Sequence, residues 1–349
     1  MSTAMTRSIV RRASLTLAVA ATLAGCRDEI TGIMSAEAAH ASRAQRQSTD
    51  DAPAYSDWSE PVNLGPVVNS ANVDIEVSIS RDGLSLYLAS NRPGGHGGFD
   101  IWVARRAGPE APWGPPENLG PTINTSFNEQ GPSLTIDGHR LYFFSNRPGG
   151  FGGSDLYVTR RRDARDDFGW RPAANLGAGV NSSFNENLSA QFEDEAGAVT
   201  LYFNSNRPAS SPGLGGTDIY ASTLQADDTF GPAVLVEELS TPFPDAGPFL
   251  RRDGLELFIA STSGSAEAPR PGAFGRFDLW RSTRASTSHV WSAPVNMGPV
   301  INTAHDESRA SLSFDGTTLY FISDRPGGSG NLDIWMTTRT KLTGGGAKD

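Results

Sequence analysis

One sequence unit occurs five times in this chain, and the repetition restricts the possible folds more than any other feature. The units open on aromatic residues spaced 55 to 61 residues apart, namely Trp58, Trp113, Trp170, Phe230 and Trp291. Later in each unit an aspartate precedes an aliphatic and then an aromatic residue, at Asp100, Asp155, Asp218, Asp278 and Asp333. Self-similarity at such a period is typical of solenoids, propellers and repeat arrays.

Each unit contains about four short runs of β-branched and aromatic residues separated by turn residues, a pattern typical of β-strands. In the first unit we place strands a, b, c and d at about 74–80, 85–90, 99–105 and 113–119. Pairs such as Asp82-Gly83 separate strands a and b, and we expect tight hairpins with primed turns there because glycine readily adopts positive φ. Four strands per unit predict one propeller blade per unit.

The ends of the chain suggest how the propeller closes. The repeats begin with a lone d-type run at about 58–64 and end with an a-b-c set at about 307–338. Pairing these two pieces would remove an exposed strand edge, which otherwise invites association. We therefore predict an all-β fold over residues 58–340. It is a five-bladed β-propeller of four-stranded antiparallel blades, in which the N-terminal outer strand completes the C-terminal blade.

The first 57 residues carry a different pattern. Three arginines precede an apolar run at 13–24 and then Cys26, which is the only cysteine. This order is that of a secretory signal, and the apolar run is too short to span a bilayer. Leu23-Ala24-Gly25-Cys26 resembles the lipobox of bacterial lipoproteins, which implies a signal peptide at 1–25 and lipidation of Cys26. A single cysteine also excludes an internal disulfide.

We expect residues 26–57 to be a flexible tether and residues 341–349 a disordered tail, because both are polar and lack periodicity. Arg27 follows the cysteine in place of the aspartate that signals inner-membrane retention. The resemblance therefore implies a lipid anchor in the bacterial outer membrane, on its periplasmic or its surface side. The formal net charge of −10 disfavours nucleic acid as a partner, since phosphate is bound by clustered positive charge.

The hairpins of the first two blades carry a family resemblance. Residues 90–102 read Ser-Asn-Arg-Pro-Gly-Gly-His-Gly-Gly-Phe-Asp-Ile-Trp, and residues 145–157 read Ser-Asn-Arg-Pro-Gly-Gly-Phe-Gly-Gly-Ser-Asp-Leu-Tyr. Both resemble the WD40-like β-propeller repeat of TolB and of repeat lipoproteins associated with the cell envelope and OmpA. The resemblance covers about 58–340. It implies a platform for protein binding in the envelope and no single activity.

Each strand a opens with a carboxylate, and strand a is the innermost strand of a blade. The five carboxylates are Asp74, Glu129, Glu186, Asp245 and Glu307. We expect them to ring the mouth of the central channel, where like charges repel unless a cation or hydrogen bonds relieve them. One hypothesis is a site for a hard cation such as Ca²⁺, with Glu129, Glu186 and Glu307 as ligands. The other is that each carboxylate accepts local hydrogen bonds and locks the blades together.

The b–c hairpins lie on the same predicted face and carry arginines. These are Arg92, Arg147, Arg207, Arg270 and Arg325, of which Arg270 lies in a long divergent loop. Except for Arg270, we predict that each pairs with the aspartate that opens strand c of its own hairpin, such as Arg92 with Asp100. Direct contact with a ligand is the alternative.

Three readings of function remain open, one of which is a purely structural role such as spacing or stabilising a larger envelope complex. The first is a cell-envelope lipoprotein that acts as a protein-binding scaffold through the carboxylate-lined face. The alternative is a glycan-binding or glycoside-active five-bladed propeller enzyme. The partner would be an envelope protein in the first case and a glycan in the alternative. Glycoside hydrolysis needs carboxylates with different pKa values, and Asp245, in the blade that departs most from the repeat, is the candidate for the unequal one. The histidines share no repeat position, so no zinc site is predicted.

Overall fold

The predicted five-bladed propeller is confirmed by the computed structural model, which describes residues 54–208, 214–264 and 270–342. Twenty strands in these ranges form five four-stranded antiparallel sheets. Blade one contains β2 (Asp74–Ile79), β3 (Ser85–Ser90), β4 (Asp100–Arg105) and β5 (Glu117–Asn118), and blade two contains β6 (Glu129–Leu134), β7 (Arg140–Ser145), β8 (Asp155–Arg160) and β9 (Ala174–Asn175). Blade three contains β10 (Glu186–Glu193), β11 (Val199–Ser205), β12 (Asp218–Thr223) and β13 (Val234–Leu235). Blade four contains β14 (Asp245–Leu250), β15 (Glu256–Thr262), β16 (Phe277–Thr283) and β17 (Val295–Asn296).

Blade five closes the ring as predicted. It contains β18 (Glu307–Leu312), β19 (Thr318–Ser323), β20 (Asp333–Thr338) and, as its outer strand, the N-terminal β1 (Val62–Asn63). Val62 lies opposite Met336 in this antiparallel pair. The contact between the chain ends extends past the predicted limits of the propeller, because Tyr55 forms a further antiparallel bridge with Lys341.

The hydrophobic core lies in the seams between blades. In the first seam, Tyr87 and Ile101 of blade one pack against Leu141 and Phe143 of blade two, and all four are buried. Trp170 joins this cluster edge-on to Tyr87, with ring centroids 6.3 Å apart. Aromatic side chains bury the most area and so dominate such seams. The tryptophans that open the repeats therefore have the packing role expected of residues at fixed blade positions.

An arginine after strand c holds the repeat tryptophan in four blades. Arg161 stacks on Trp170 at 4.4 Å from the ring centroid and donates a 2.7 Å hydrogen bond to the carbonyl of Gly138 in the a–b turn. The equivalent arginines stack on the equivalent tryptophans in three more blades, and they are Arg106, Arg284 and Arg339. Through this stacking and hydrogen bonding, the arginine joins the tryptophan that precedes strand d to the a–b turn.

The a–b turns differ from the primed type predicted. In the first blade the amide of Gly83 donates to the carbonyl of Ser80 at 2.9 Å, and Gly83 has a φ of +71°. Asp82 does not share the positive φ that a type I′ turn requires of both central residues. Instead its Oδ1 accepts the amide of Leu84 at 3.0 Å, which fixes a turn with one left-handed glycine at its end. The prediction of primed turns was wrong.

The N-terminal predictions are not reached by the structure. Cys26, the signal peptide at 1–25, the tether up to residue 53 and the tail from residue 343 lie outside the described residues. In the described ranges, no helix has the length and hydrophobicity needed to cross a membrane.

Candidate functional site

The predicted carboxylates open strands a at one end of the propeller, which we call the hairpin face because the b–c hairpins also lie there. All five are completely buried. Each forms an ion pair with the arginine of its own blade: Asp74 with Arg92, Glu129 with Arg147, Glu186 with Arg207, Asp245 with Arg270, and Glu307 with Arg325. The arginines therefore neutralise the ring of negative charge that the sequence predicts.

In blade five, both carboxylate oxygens of Glu307 accept hydrogen bonds. Glu307 Oε2 accepts the amide of Thr303 at 2.7 Å. Its Oε1 accepts the Thr303 hydroxyl at 2.8 Å, the Ser323 hydroxyl at 2.9 Å and Arg325 Nη2 at 3.0 Å. Hydrogen bonds in which a partner is ionised are about twice as strong as neutral ones. The carboxylate thus accepts local hydrogen bonds from its own blade and from the loop that enters it.

The three proposed metal ligands, Glu129, Glu186 and Glu307, each face an arginine of their own blade. Across the part of the chain that the structure describes, no three acidic, histidine or cysteine side chains are grouped closely enough to hold a metal ion. Calcium coordination by these residues would first require release of the arginines.

The predicted pairing of the hairpin arginines with the strand-c aspartates is wrong. Asp100 instead caps its own hairpin, accepting the amide of Gly97 at 3.1 Å and the side-chain amide of Asn118 at 2.9 Å. The sheet register explains the choice, because Asp74 lies directly opposite Ser90 at the start of the hairpin. Arg92, two residues further on, reaches that carboxylate.

The hairpin arginines are also covered by aromatic rings. The guanidinium carbon of Arg325 lies 5.1 Å from the ring centroid of Phe321 and 5.3 Å from that of Trp335. Its side chain is only 10% exposed, and the other four hairpin arginines are 7–18% exposed. Cation–π contact and the buried ion pair hold these side chains within the blades. They are therefore placed to support the face and not to reach a ligand.

Blade three breaks the pattern at its strand-c aspartate. Leu235 occupies the strand-d position that holds asparagine in the other blades, so Asp218 loses the amide donor that Asp100 receives from Asn118. Among the described residues, Asp218 Oδ1 is buried without a hydrogen-bond partner. Burial raises the pKa of Asp218, and the charge of Asp245 raises it further.

Asp245 in blade four is the second unusual carboxyl. Burial raises its pKa, against the opposing effects of hydrogen bonds from Ser261 and Thr241 and of the charge of Arg270. Burial in turn lowers the pKa of Arg270. The sequence singled out Asp245 as the unequal carboxylate, and the direction of its pKa agrees with that choice.

A charged pair lies inside the central channel of the propeller. The third residue of every strand a has positive φ, and in two blades this residue is charged, namely Glu76 (+60°) and Arg309 (+59°). These two side chains form an ion pair, and Glu76 Oε2 also accepts the amide of Gly131 at 2.5 Å. The cavity around them measures about 30 Å³, which is the space of a water molecule or two. This pair was not predicted from the sequence, although the charged residues at one repeat position were a signal for it.

Aromatic side chains are exposed on the hairpin face at two repeat positions that the sequence analysis passed over. One position is the hairpin tip, where Phe151 is 51% exposed and Phe274 is 47% exposed. The other lies two residues before the strand-a carboxylate, where Phe127 is 38% exposed and Phe184 is 39% exposed. Exposed apolar groups that recur on one face mark binding surfaces more often than isolated ones do.

The two positions meet at each seam. Gly152, next to Phe151, lies against the backbone of Phe184 in the following blade so closely that a Cβ atom would overlap the Phe184 carbonyl oxygen. The glycines that follow the other hairpin tips lie in the same way against the next blade. The resulting seam pairs are His96 with Phe127, Phe151 with Phe184, Leu214 with Phe243, Phe274 with His305, and Ser329 with Asn72.

Asparagine side chains stand beside these seam pairs. Asn146 Oδ1 accepts the amide of Asn128 at 2.9 Å, and Asn206 Oδ1 accepts that of Asn185 at 2.8 Å. Asn91 accepts from Val73 in the same way. All three asparagines are exposed. Each oxygen is held by the loop that leads into strand a of its own blade, which leaves the exposed NH₂ group as a donor.

Comparison with solved structures identifies the same architecture in glycoside hydrolases. An α-L-arabinofuranosidase from Lactobacillus brevis aligns with a TM-score of 0.52 at 16% identity, over 80% of this chain and 94% of that one. A GH43_1 enzyme from Xanthomonas citri complexed with xylotriose aligns with a TM-score of 0.50 at 16% identity, over 86% and 93%. A GH43_12 retrieved from a capybara gut metagenome gives a TM-score of 0.51 at 15% identity over 83% of this chain, which spans only 59% of that protein. At these identities the likeness shows the shared fold.

No protein-family model and no curated protein matches the chain. Because the similar solved structures are glycoside hydrolase propellers, the predicted membership in a TolB-type repeat family was wrong. The predicted role as a protein-binding scaffold, which rested on that membership, is corrected by the same finding. The motif residues that carry the resemblance have structural roles. Arg92 forms an ion pair with Asp74, and Asp100 accepts a hydrogen bond from the backbone of its own hairpin.

Proposed function

We propose that this protein binds a glycan across its hairpin face, with the aromatic seam pairs as stacking platforms. The observation that carries the proposal is that two exposed rings come together at a blade seam, where Gly152, next to Phe151, packs against the backbone of Phe184. The C–H faces of sugar rings are apolar and pack on aromatic rings, while sugar hydroxyls need oriented polar partners. The fixed amides of Asn91, Asn146 and Asn206 would supply such partners.

The solved structures of this architecture support a saccharide ligand. The names of two of them specify an arabinofuranosidase and a complex with xylotriose. Arabino- and xylo-oligosaccharides are accordingly the first probes, followed by peptidoglycan fragments. Glycan binding fits the hairpin face better than hydrolysis does, because each strand-a carboxylate is already held by an arginine.

Binding is tested by calorimetric titration of residues 54–342 with these oligosaccharides. Phe151→Ala and Phe184→Ala should each weaken binding about five- to thirtyfold, since each removes one stacking surface worth roughly 1–2 kcal/mol. Phe168→Ala is the matched control, because Phe168 is 41% exposed but lies on the c–d connection of blade two, away from the hairpin face. Absence of binding across the probes, or equal binding by all variants, would overturn the proposal.

Glycoside hydrolysis is a second candidate, and the raised pKa values of Asp218 and Asp245 favour it. A glycosidase needs one carboxyl that stays protonated to act as a general acid and another that is ionised. Release of reducing sugar from the same oligosaccharides, abolished separately by Asp218→Asn and Asp245→Asn, would support this candidate. Binding without turnover would leave the protein as a glycan-binding propeller.

We also propose that the protein is exported and anchored to the outer membrane through a lipid on Cys26. The support is the lipobox-like segment Leu23-Ala24-Gly25-Cys26. Radiolabelled palmitate should be incorporated by the full chain in a bacterial host and not by Cys26→Ser. Labelling of both forms, or of neither, would contradict this anchor.

A further inference from the structure

The opposite end of the channel, where the a–b turns lie, carries an unusual arrangement of arginines. Phe314 of blade five lies between the turn arginines of its two neighbouring blades. The guanidinium carbons of Arg81 and Arg252 both lie 4.5 Å from its ring centroid. Arg81 and Arg252 come from the blades on either side of blade five, so the ring of Phe314 is shared by two guanidinium groups. Phe314 therefore holds two cations at one channel mouth.

Within the ranges that the structure describes, neither guanidinium group has an anionic partner. Among the described residues, Arg81 and Arg252 form no ion pair and donate no hydrogen bond, and both are exposed. This sets them apart from the hairpin arginines, each of which is paired with a buried carboxylate. Each guanidinium retains five N–H donors along its edges, because stacking uses only its faces.

The carboxylates of the neighbouring turns are engaged elsewhere. Asp82 Oδ1 accepts the Ser80 hydroxyl at 2.7 Å, and Asp315 Oδ1 accepts the Ser313 hydroxyl at 2.6 Å. Both oxygens of Asp253 accept from Arg251 Nε at 2.9 Å. These local contacts hold the aspartates in their own turns, so Arg81 and Arg252 remain available to an external anion.

Two adjoining cavities give such an anion a place. One of about 70 Å³ lies at the channel mouth and is lined by Arg81, Arg252 and Phe314. The other, of about 360 Å³, is a groove between blades five and one that shares Arg81 and Phe314 and continues past Arg106 and Tyr320. Three acidic residues also line it, namely Asp82, Glu110 and Asp315. Its volume is in the range of sites for small organic molecules.

We propose that this turn-face mouth is a second binding site, for a small organic anion. Its carboxylate, sulfate or phosphate group would lie between the N–H edges of Arg81 and Arg252, and its uncharged part would lie in the groove beside Tyr320. Guanidinium edges match the geometry of such oxyanions and form charge-assisted hydrogen bonds with them. The site is at the opposite end of the propeller from the glycan face and does not depend on that proposal.

The test is calorimetric titration with sodium phosphate, sodium sulfate and trisodium citrate, each against chloride at constant ionic strength. We expect saturable binding of at least one anion, and the ranking of the three separates a phosphate or sulfate ligand from a carboxylate ligand. Arg81→Gln and Arg252→Gln should each weaken it at least about tenfold, the loss of one charge-assisted contact. The matched control is Arg162→Gln, an exposed arginine on the c–d connection of blade two, which should bind like the wild type.

A further variant tests the role of the ring. Phe314→Leu leaves both charges in place but removes the surface that orients them, so binding should weaken while the melting temperature changes little. Equal binding by the wild type and the Arg81→Gln/Arg252→Gln double variant would overturn the proposal, as would no saturable binding of any of the three anions. Loss of binding in Arg162→Gln would show attraction by general positive charge and would also overturn it.

Discussion

The buried ion pair between Glu307 and Arg325 gives the sharpest quantitative prediction. Glu307→Gln keeps the size of the side chain but removes the charge that balances Arg325, whose side chain is 10% exposed. The NH₂ group of the glutamine must also replace one of the two carboxylate oxygens. Oε1 accepts hydrogen bonds from two hydroxyls and a guanidinium group, and Oε2 accepts one from the amide of Thr303. Removing one partner of a buried pair typically costs about 3–5 kcal/mol. We therefore expect Glu307→Gln to lower the free energy of unfolding by about that amount.

Thermal melting measures this loss. For a domain of this size each kcal/mol corresponds to roughly 2 °C, so the midpoint should fall by roughly 6–10 °C. Glu193→Gln is the matched control, because Glu193 lies exposed at the end of β10, and it should melt within about 1 °C of the wild type. EDTA should leave all the midpoints unchanged. The locking argument is refuted if Glu307→Gln melts like the wild type, or if EDTA alone lowers the midpoint of the wild type.

Three further substitutions test other parts of the structure by thermal melting. Asp218→Asn should raise the melting midpoint at neutral pH, because a carboxyl whose pKa is raised by folding costs the wild type stability as pH rises through that pKa. The gain should vanish at pH 3, where the carboxyl is protonated in both the folded and the unfolded state, and a pH-independent effect would contradict the prediction. Gly131→Ala should cost about 1–3 kcal/mol, since φ is +66° and a Cβ atom would lie 2.8 Å from the ring of Phe144, and a neutral result would contradict this geometry. Tyr87→Phe should cost about 1–3 kcal/mol because it removes the 2.5 Å hydrogen bond to buried Asp167, and wild-type stability would exclude that role.

The architecture could be predicted from the sequence because its determinants are local and repeated. Strand b of the first blade was placed at 85–90 and is observed at Ser85–Ser90, since alternating apolar residues between turn residues mark its ends. Closure by the N-terminal strand followed from counting strand types at the two chain ends. Strand d was placed at 113–119, but only Glu117–Asn118 pair, because the repeat tryptophan before them packs under an arginine and not in the sheet.

The parts that could not be predicted depend on which residues meet across blades or across the register. Arg92 has acidic residues on both sides in sequence, and only the pairing of Ser90 with Asp74 decides between them. The seam pairs join a hairpin of one blade to a loop of the next, so Phe151 and Phe184 look unrelated in sequence. Arg81 and Phe314 are 233 positions apart and become neighbours only when the ring closes.

The central claim is that a glycan lies across the hairpin face, and amide hydrogen exchange with and without the tightest-binding oligosaccharide tests it most directly. We predict slowed exchange in the seam segments 148–153 and 182–185, with no change in the turn segment 80–84. Protection confined to the turn face, or no protection at a saturating concentration of a saccharide that calorimetry shows to bind, would contradict the account.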